Sequence, residues 1–307
     1  MLTADVLIPV YRPGDTFRKL LEGLQEQTYP IHKIILMNTE EKYFPKGMET
    51  QYENVEIHHL TKSEFDHGGT RDRGIRMSEA DVVICMTQDA VPADEYLVEK
   101  LLEPFEREDV WAAYARQLPA ADCREVERYT RSFNYPEKSR LKGEKDLPEL
   151  GIKTFFCSNV CAAWRRDRYL ELGGFAKQTI FNEDMIYAGG LIRQGGLIAY
   201  CAGAKVIHSH NYTALQQFHR NFDLAVSQTM HPEVFGGIRS ESEGIRLVKK
   251  SIRHCISIGK PWLILQVVTQ SSGKLLGYKL GQRYQKLPKK VILKCTMNRS
   301  FWQEEDR

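Results

Sequence analysis

No segment of the sequence is apolar for long enough to span a bilayer. A transmembrane helix needs about 20 consecutive apolar residues, whereas the longest nearly unbroken apolar run is "PWLILQVV" at residues 261–268. The opening segment "MLTADVLIPVYRPG" also lacks a basic region and a cleavage site. We therefore expect no secretion signal and a cytoplasmic protein.

Motifs that identify several common protein classes are missing as well. There is no Cys-x-x-Cys pair, and the seven scattered cysteines are an odd number, which favours buried thiols over a disulfide framework or a structural zinc site. The chain also lacks Gly-x-Gly-x-x-Gly, a P-loop and Gly-x-Ser-x-Gly. Nothing therefore supports a dinucleotide-binding motif, a P-loop enzyme or a covalent hydrolase.

Charge is unevenly distributed along the chain. The formal net charge is only +3, yet residues 246–307 contain 14 lysines and arginines against three acidic residues, a net +11. Residues 1–245 therefore carry a net −8. A basic tail on an acidic body is a pattern of interaction segments.

Short apolar strands alternate with helical patterns, such as the apolar spacing from Phe17 to Leu24. This alternation predicts βαβ units and a mostly parallel sheet with helices on both faces. Ligands of such sheets bind beyond the carboxyl ends of the strands, so residues at those ends are candidates for a site. The predicted strands are 5–11, 33–38, 55–60, 82–90, 110–117, 155–166 and 196–210.

Two segments offer carboxylates for a site. Asp89 follows an apolar strand, where it is either a turn residue or a ligand of Mg²⁺ or Mn²⁺, which complete their shells with phosphate and water. Glu183 and Asp184 open a predicted helix. They either complement the helix dipole or provide a general base toward a hydroxyl group.

His208 and His210 lie on the same side of an extended chain in "HSHNYT". One such histidine is commonly a structural residue, and two at this spacing are either structural or make a metal or phosphate contact.

Five segments, taken in order, resemble glycosyltransferase family 2, the inverting GT-A enzymes, and within it the bacterial rhamnosyltransferases. "FDHGGTR" and "HSHNYT" point to the rhamnosyltransferase branch, and the match covers roughly residues 4–225. The order of the motifs makes the resemblance specific, although each motif alone is weak. The other three segments are "VLIPVYRPGDTFRKLLEGLQEQTYP", "GGTRDRGIRMSEADVVICMTQDAVP" and "LGGFAKQTIFNEDMIYAGGLIRQGG".

The resemblance implies a fold and an activity. It implies an α/β GT-A domain over residues 1–240, with a Rossmann-like, mostly parallel sheet flanked by helices, and a basic helical extension over residues 241–307. It further implies inverting transfer of L-rhamnose from dTDP-β-L-rhamnose to a hydroxyl group of a growing, lipid-linked cell-surface polysaccharide. No nucleic-acid partner is expected.

The resemblance also implies roles for individual residues. Asp184, beside Glu183, would deprotonate the acceptor hydroxyl. Asp89 and His208 would hold Mg²⁺ or Mn²⁺ at the pyrophosphate, or help bind the pyrophosphate directly. The residues implied to bind the donor are Pro9, Tyr11, Asn38, Glu40, Asp66, Gly69, Arg71, Gln88, Asp89 and His210.

The loop "FDHGG" would then form a wall of the nucleotide pocket. Gly68 and Gly69 would let the backbone approach the donor, while Asp66 and Arg71 would contact its base, ribose or pyrophosphate. The alternative is a salt-bridged loop in which Arg71 pairs with Asp66 or Asp72.

The chain departs from the family pattern at three places. Its metal-binding strand ends in Thr-Gln-Asp-Ala, with Asp89 as the one acid where the family usually has Asp-x-Asp. Asn38 stands where an aspartate often contacts the nucleobase, and Arg71-Asp72 stands for Arg-Asn.

Alternatives stay open for donor, activity and tail. The donor could be a UDP-hexose, and the protein could be a non-catalytic nucleotide-sugar-binding subunit. Basic and apolar residues interleave after Arg246, which is the composition of a helix lying on an anionic membrane surface. Helices packed on the catalytic domain with a solvated basic side are the alternative.

Overall fold

The computed structural model describes residues 1–48, 51–238 and 241–304. The last three residues of the predicted extension, 305–307, and the boundary residues 239–240 lie outside this range. The chain divides into two compact units. Unit 1 comprises Met1–Ala120, Tyr135–Lys177 and Glu183–His208, and unit 2 comprises Ala121–Asn134, Gln178–Asn182 and Ser209–Arg307.

Unit 1 is built on one sheet, whose nine strands in the described part of the chain run in the order β3-β2-β1-β4-β8-β6-β9-β5, with β7 paired to β9. The strands are β1 (Ala4–Tyr11), β2 (Lys33–Thr39), β3 (Val55–Leu60), β4 (Val82–Met86), β5 (Val91–Pro92), β6 (Val110–Leu118), β7 (Arg140–Lys142), β8 (Cys161–Arg165) and β9 (Leu197–Ile207).

The first half of the sheet is parallel, as predicted, because β1 pairs in parallel with β2 and β4, and β2 with β3. The second half is mixed. Strand β8 runs antiparallel to both β4 and β6, while β6 and β9 are parallel. The predicted strand at 155–166 begins only at Cys161, because a 3₁₀ helix, Gly151–Phe155, takes up the start of the apolar run.

Helices connect the strands of unit 1 and make up most of unit 2. Helix α1 confirms the predicted pattern, since its apolar residues from Phe17 to Leu24 are buried against the sheet. The helices are α1 (Asp15–Gln25), α2 (His67–Met77), α3 (Leu97–Leu102), α4 (Glu125–Asn134), α5 (Leu147–Leu150), α6 (Arg166–Glu171), α7 (Glu183–Arg193), α8 (Ala214–Met230), α9 (Pro232–Phe235), α10 (Glu241–Ser257), α11 (Leu263–Gly281), α12 (Lys289–Cys295) and α13 (Arg299–Glu304).

In unit 2, α8 packs closely against α11. Gly273, Gly277 and Gly281 follow one another along one face of α11, and a side chain at any of them would collide with a backbone carbonyl of α8. Helix α8 therefore belongs to unit 2 together with the basic helices that follow it. The domain boundary after residue 240 stays a prediction. None of the helices in the described ranges is long and apolar enough to cross a bilayer.

Candidate active site

The carboxyl ends of β1, β2 and β4 lie at one edge of the sheet because these strands are parallel. Gln88, two residues after β4, joins that strand's end to β1: Nε2 of Gln88 donates to the carbonyl of Tyr11 at 3.0 Å, and the Tyr11 N–H donates to Oε1 of Gln88 at 2.8 Å. The predicted donor contacts of Gln88, Tyr11 and the half-buried Pro9 stay predictions.

An exposed arginine at the end of β1 was not among the predicted site residues. The guanidinium of Arg12 lies 5.1 Å from the ring centre of Tyr11 and 4.2 Å from that of Tyr43, and it donates to the Tyr43 hydroxyl at 2.8 Å. Its backbone has φ +49°, a conformation that non-glycine residues rarely adopt. A tertiary contact holds this arginine, and no sequence motif marks it.

The end of β2 carries Asn38 and Glu40, both predicted to contact the donor. Asn38 is fully buried, and its Nδ2 lies 2.9 Å from Nδ1 of His59. Its Oδ1 has no hydrogen-bond partner among the described residues, so it keeps an acceptor for a further donor. Glu40 also has a positive φ, 65°, and pairs with Lys42 at 3.1 Å. Their contact with a donor stays a prediction.

The "FDHGG" segment forms the start of helix α2. Asp66 is its N-cap and accepts a hydrogen bond from the N–H of Gly69 at 2.5 Å. A side chain at Gly68 would collide with the carbonyl of Ala176, so this glycine permits an approach of the protein's own backbone. Contacts of Asp66 and Gly69 with the donor stay predictions.

Arg71 is buried and pairs with neither of the acids that the salt-bridged alternative gives it. Its Nη1 donates to the carbonyl of His67 and to Oε1 of Glu183, each at 3.0 Å. Asp72 pairs instead with Arg76 at 2.9 Å. Arg71 thereby links the loop to the predicted catalytic carboxylates, while its contact with the donor stays a prediction.

Glu183 and Asp184 begin helix α7 and have different environments. Burial, the largest single influence, raises the pKa of Glu183, but the neighbouring Arg71 and His67 together with the hydrogen bond from Asn159 outweigh it and hold that pKa below its usual value. For Asp184, burial and then the neighbouring charge of Glu183 raise the pKa to about 7. One carboxylate is therefore ionised while the other titrates near neutral pH, the arrangement of a general base beside a fixed charge.

The predicted metal ligands Asp89 and His208 are close together in unit 1. Nε2 of His208 lies 3.6 Å from Oδ2 of Asp89, and its Nδ1 lies 3.1 Å from Oε1 of Gln117. The oxygen of Gln117 only accepts, so Nδ1 donates to it and the ring directs Nε2 toward Asp89. An imidazole nitrogen beside a carboxylate oxygen fits a divalent ion. His210, two residues further on, belongs to unit 2.

Asn159, which precedes β8, is not among the site residues that the sequence predicts. It is buried and contacts both Glu183 and Asp184. It lies 24 residues before Glu183 in the chain, and no spacing rule connects the two.

Comparison with known proteins gives a family match and close relatives. The family model described as "Glycosyl transferase family 2" matches residues 5–173. The O-antigen chain rhamnosyltransferase RfbN of Salmonella typhimurium is 36% identical over 301 residues, which cover 97% of this chain and 95% of that protein. WbaN of Salmonella anatum, of the same description, is 36% identical over 98% of this chain and 96% of its own.

Solved structures share the fold at low sequence identity. A mannosyltransferase from Pyrobaculum calidifontis, solved with GDP-Man and Mn²⁺, has a TM-score of 0.56 at 13% identity, covering 88% of this chain and 74% of its own. Staphylococcus aureus TarS 1–349, solved with UDP-GlcNAc, has a TM-score of 0.52 at 12% identity, covering 93% and 92%. The predicted GT-A fold is thereby confirmed.

Proposed function

Because the chain belongs to glycosyl transferase family 2, we propose that it transfers L-rhamnose from dTDP-β-L-rhamnose to a hydroxyl group of a lipid-linked cell-surface polysaccharide. The observation that carries this proposal is the 36% identity to two O-antigen chain rhamnosyltransferases over at least 95% of each chain. The two carboxylates with separated pKa values support the chemistry.

Asp184 is the proposed proton acceptor. It takes the proton of the acceptor hydroxyl while the hydroxyl oxygen attacks the anomeric carbon of rhamnose. The bond from that carbon to the diphosphate oxygen breaks, dTDP leaves with the electron pair, and the configuration inverts. Glu183 stays ionised, and its negative charge acts electrostatically on Asp184.

The donor is proposed to bind at the carboxyl edge of β1, β2 and β4. The free acceptor of the buried Asn38 supports a contact with the nucleobase. The residues proposed to contact the donor are Pro9, Tyr11, Asn38, Glu40, Asp66, Gly69, Arg71, Gln88, Asp89 and His210.

Asp89 and His208 are proposed to hold Mg²⁺ or Mn²⁺. Such an ion neutralises the charge of a leaving diphosphate. The contact between Nδ1 of His208 and Gln117 supports this role because it orients the imidazole ring with Nε2 toward Asp89. Asp89 supplies the hard oxygen ligand that these ions prefer.

A peripheral membrane contact is proposed for helix α11 in unit 2. Five apolar residues from Trp262 to Leu276 are each 45% to 72% exposed. Trp262 lies at the start of α11, and the other four lie on the face away from the glycines that contact α8. Together the five form an apolar stripe. Basic residues surround this stripe in the sequence. An apolar helix face with basic flanks suits an anionic bilayer surface. The stripe consists of Trp262, Leu265, Val268, Leu275 and Leu276.

Donor choice tests the proposed activity. Calorimetry with Mn²⁺ should show tighter binding of dTDP-β-L-rhamnose than of UDP-glucose, UDP-galactose or UDP-N-acetylglucosamine. A lipid-diphosphate-linked glycan should then release dTDP and gain the mass of one deoxyhexose. Faster transfer from a UDP-hexose would overturn the donor assignment, and binding without turnover of any donor would favour the non-catalytic alternative.

A further inference from the structure

Asn159 contacts both carboxylates of the predicted catalytic pair through different groups. Its backbone N–H donates to Oδ2 of Asp184 at 3.0 Å, and its side-chain Nδ2 donates to Oε1 of Glu183 at 3.2 Å. The residue is buried, with 3% of its surface exposed. One residue therefore serves two adjacent acids by two independent hydrogen bonds.

Trp164 fixes the orientation of the Asn159 amide. The indole Nε1–H donates to Oδ1 of Asn159 at 3.0 Å. An indole nitrogen can only donate, so the oxygen of the amide must face Trp164 and its NH₂ must face Glu183. The indole is itself held, since it is fully buried with its ring 5.4 Å from Phe175 and 5.3 Å from Tyr187.

An amide donor aimed at Glu183 favours the ionised form of that acid. Oε1 of Glu183 receives this hydrogen bond and that of Arg71, and both are stronger when the acceptor carries a negative charge. A protonated Glu183 would lose part of both interactions. When Glu183 and Asp184 together hold one proton, that proton is therefore on Asp184.

The same contacts separate the tasks of the two acids. The charge kept on Glu183 acts on Asp184, and the backbone N–H of Asn159 fixes the direction of the Asp184 carboxylate. The other titratable groups that face the pair are His67, at the start of α2, and the thiols of Cys85 and Cys157. Burial raises the pKa values of the two thiols. Neither thiol competes as an anion at neutral pH.

We propose that Asn159 is a positioning residue of the reaction, which holds Glu183 as the ionised partner and orients Asp184 as the proton acceptor. This inference rests on the proposed function, because it assigns a role within that chemistry. Asn159 touches neither donor nor acceptor in this role and acts through the two acids.

The Asn159→Asp variant separates this role from a merely structural one. The substitution preserves size and the acceptor for Trp164, but it replaces the donor facing Glu183 by a third carboxylate. We expect the acid limb of the pH profile of kcat to move up by about one pH unit, with the KM for dTDP-β-L-rhamnose changed less than about twofold. Asn54→Asp, the same chemical change at an amide bonded to Gln25 and the Ile31 carbonyl, should leave the profile unchanged.

Asn159→Ala tests the side chain without adding charge. The backbone N–H to Asp184 remains, so we expect kcat to fall about 10- to 100-fold, as for loss of a hydrogen bond to a charged group. An unchanged pH profile in Asn159→Asp together with an unchanged kcat in Asn159→Ala would overturn the proposal. A loss confined to KM would overturn it too.

A readout without activity keeps this inference distinct from the proposed function. The difference in unfolding free energy between the chain with Asp184 and the chain with Asp184→Asn depends on pH through the proton of Asp184. The pH range over which that difference changes should move to higher pH when Asn159→Asp is introduced into both chains. A wild type inactive with every nucleotide sugar would refute the proposed function, while an unchanged pH range would refute the role of Asn159.

Discussion

The guanidinium of Arg71 lies 3.0 Å from Oε1 of Glu183, although 112 residues separate them in the chain. Both side chains are buried, so each charge is stabilised by its partner instead of by water. Removing one partner would leave a buried charge unpaired. The pair therefore ties the start of α2 to the start of α7 and fixes the charge state of the acid next to Asp184.

Asp184→Asn should lower kcat by at least tenfold and leave donor affinity largely intact. The amide keeps the shape of the carboxylate but accepts no proton, and general-base catalysis typically contributes 10²- to 10⁴-fold. Steady-state kinetics with dTDP-β-L-rhamnose and calorimetry on the same preparations measure both quantities. Asp109→Asn, which removes an exposed carboxylate paired with Arg107, should leave kcat unchanged. A variant that keeps more than about a tenth of the wild-type kcat contradicts the assignment.

The pH dependence of stability should report the raised pKa of Asp184. The folded protein binds this proton more tightly than the unfolded chain, whose aspartates titrate near about 3.9. The stabilisation from the protonated form is therefore complete below about pH 4 and lost as pH rises through about 7. Asp184→Asn removes this loss, so its melting temperature should exceed that of wild type at pH 8 by more than at pH 4. Equal differences at both pH values would show that Asp184 titrates normally.

The activity should also depend on the protonation of Asp184, but it should rise with pH where the stability falls. A general base must be unprotonated, so kcat should rise with pH up to about 7 and then level off. Rates measured across pH 5 to 9 in buffers of constant ionic strength provide the check. A profile that is flat through this range would mean that another group accepts the proton.

Gly68→Ala should destabilise the protein and lower its activity. The added methyl group meets the carbonyl of Ala176, and relieving this contact shifts the start of α2, which carries Arg71. Overpacking of this kind costs about 1–3 kcal/mol. Gly190→Ala is the matched control, because nothing lies within 4 Å of the added atom and alanine favours a helix. Thermal unfolding should show a loss only for Gly68→Ala, and the same response in both variants would refute the close approach at Gly68.

Asp89→Ala should weaken donor binding and any stimulation by Mn²⁺ together. A carboxylate that holds an ion against the pyrophosphate serves both functions at once. His208→Ala should act in the same direction, while His231→Ala, which removes a histidine paired with Glu233, should have no effect. Calorimetry with and without EDTA measures the two effects. Unchanged donor affinity in Asp89→Ala would return this residue to the turn-residue alternative.

The double variant Leu265→Glu, Leu276→Glu should abolish binding to anionic membranes. Both leucines are more than 60% exposed on α11, so the substitutions place charge in the proposed membrane face without disturbing the contact with α8. Wild type should sediment with vesicles of phosphatidylglycerol and phosphatidylcholine and be released by high salt.

Leu141→Glu, at an exposed leucine of unit 1, is the control and should sediment like wild type. Circular dichroism would verify that all variants are folded. Sedimentation of the double variant at the wild-type level, or no sedimentation of wild type, would leave α11 as an ordinary structural helix. Point variants suit this question better than truncation after residue 240, which would expose the face of α8 that α11 covers.

Local pattern was sufficient to predict much of this protein. The alternation of apolar strands with amphipathic helices predicted β1 to β4 and their parallel order, because burial on both faces requires continuous apolar strands. It also predicted that Glu183 and Asp184 begin a helix. These features depend on residues within one or two elements of each other, and the order of the motifs led to the family.

Tertiary structure alone decided how the site residues are paired. The sequence suggested Asp66 and Asp72 as acidic partners of Arg71, and the approach of α2 to α7 instead paired it with the much more distant Glu183. Asn159 carried no signal, because its function depends on the distance to two acids that a helix start brings beside it. The pKa values of Glu183 and Asp184 likewise depend on burial and on the charge of Arg71. The sequence determines which groups are available, and the packing of distant elements determines which of them share a charge or a proton.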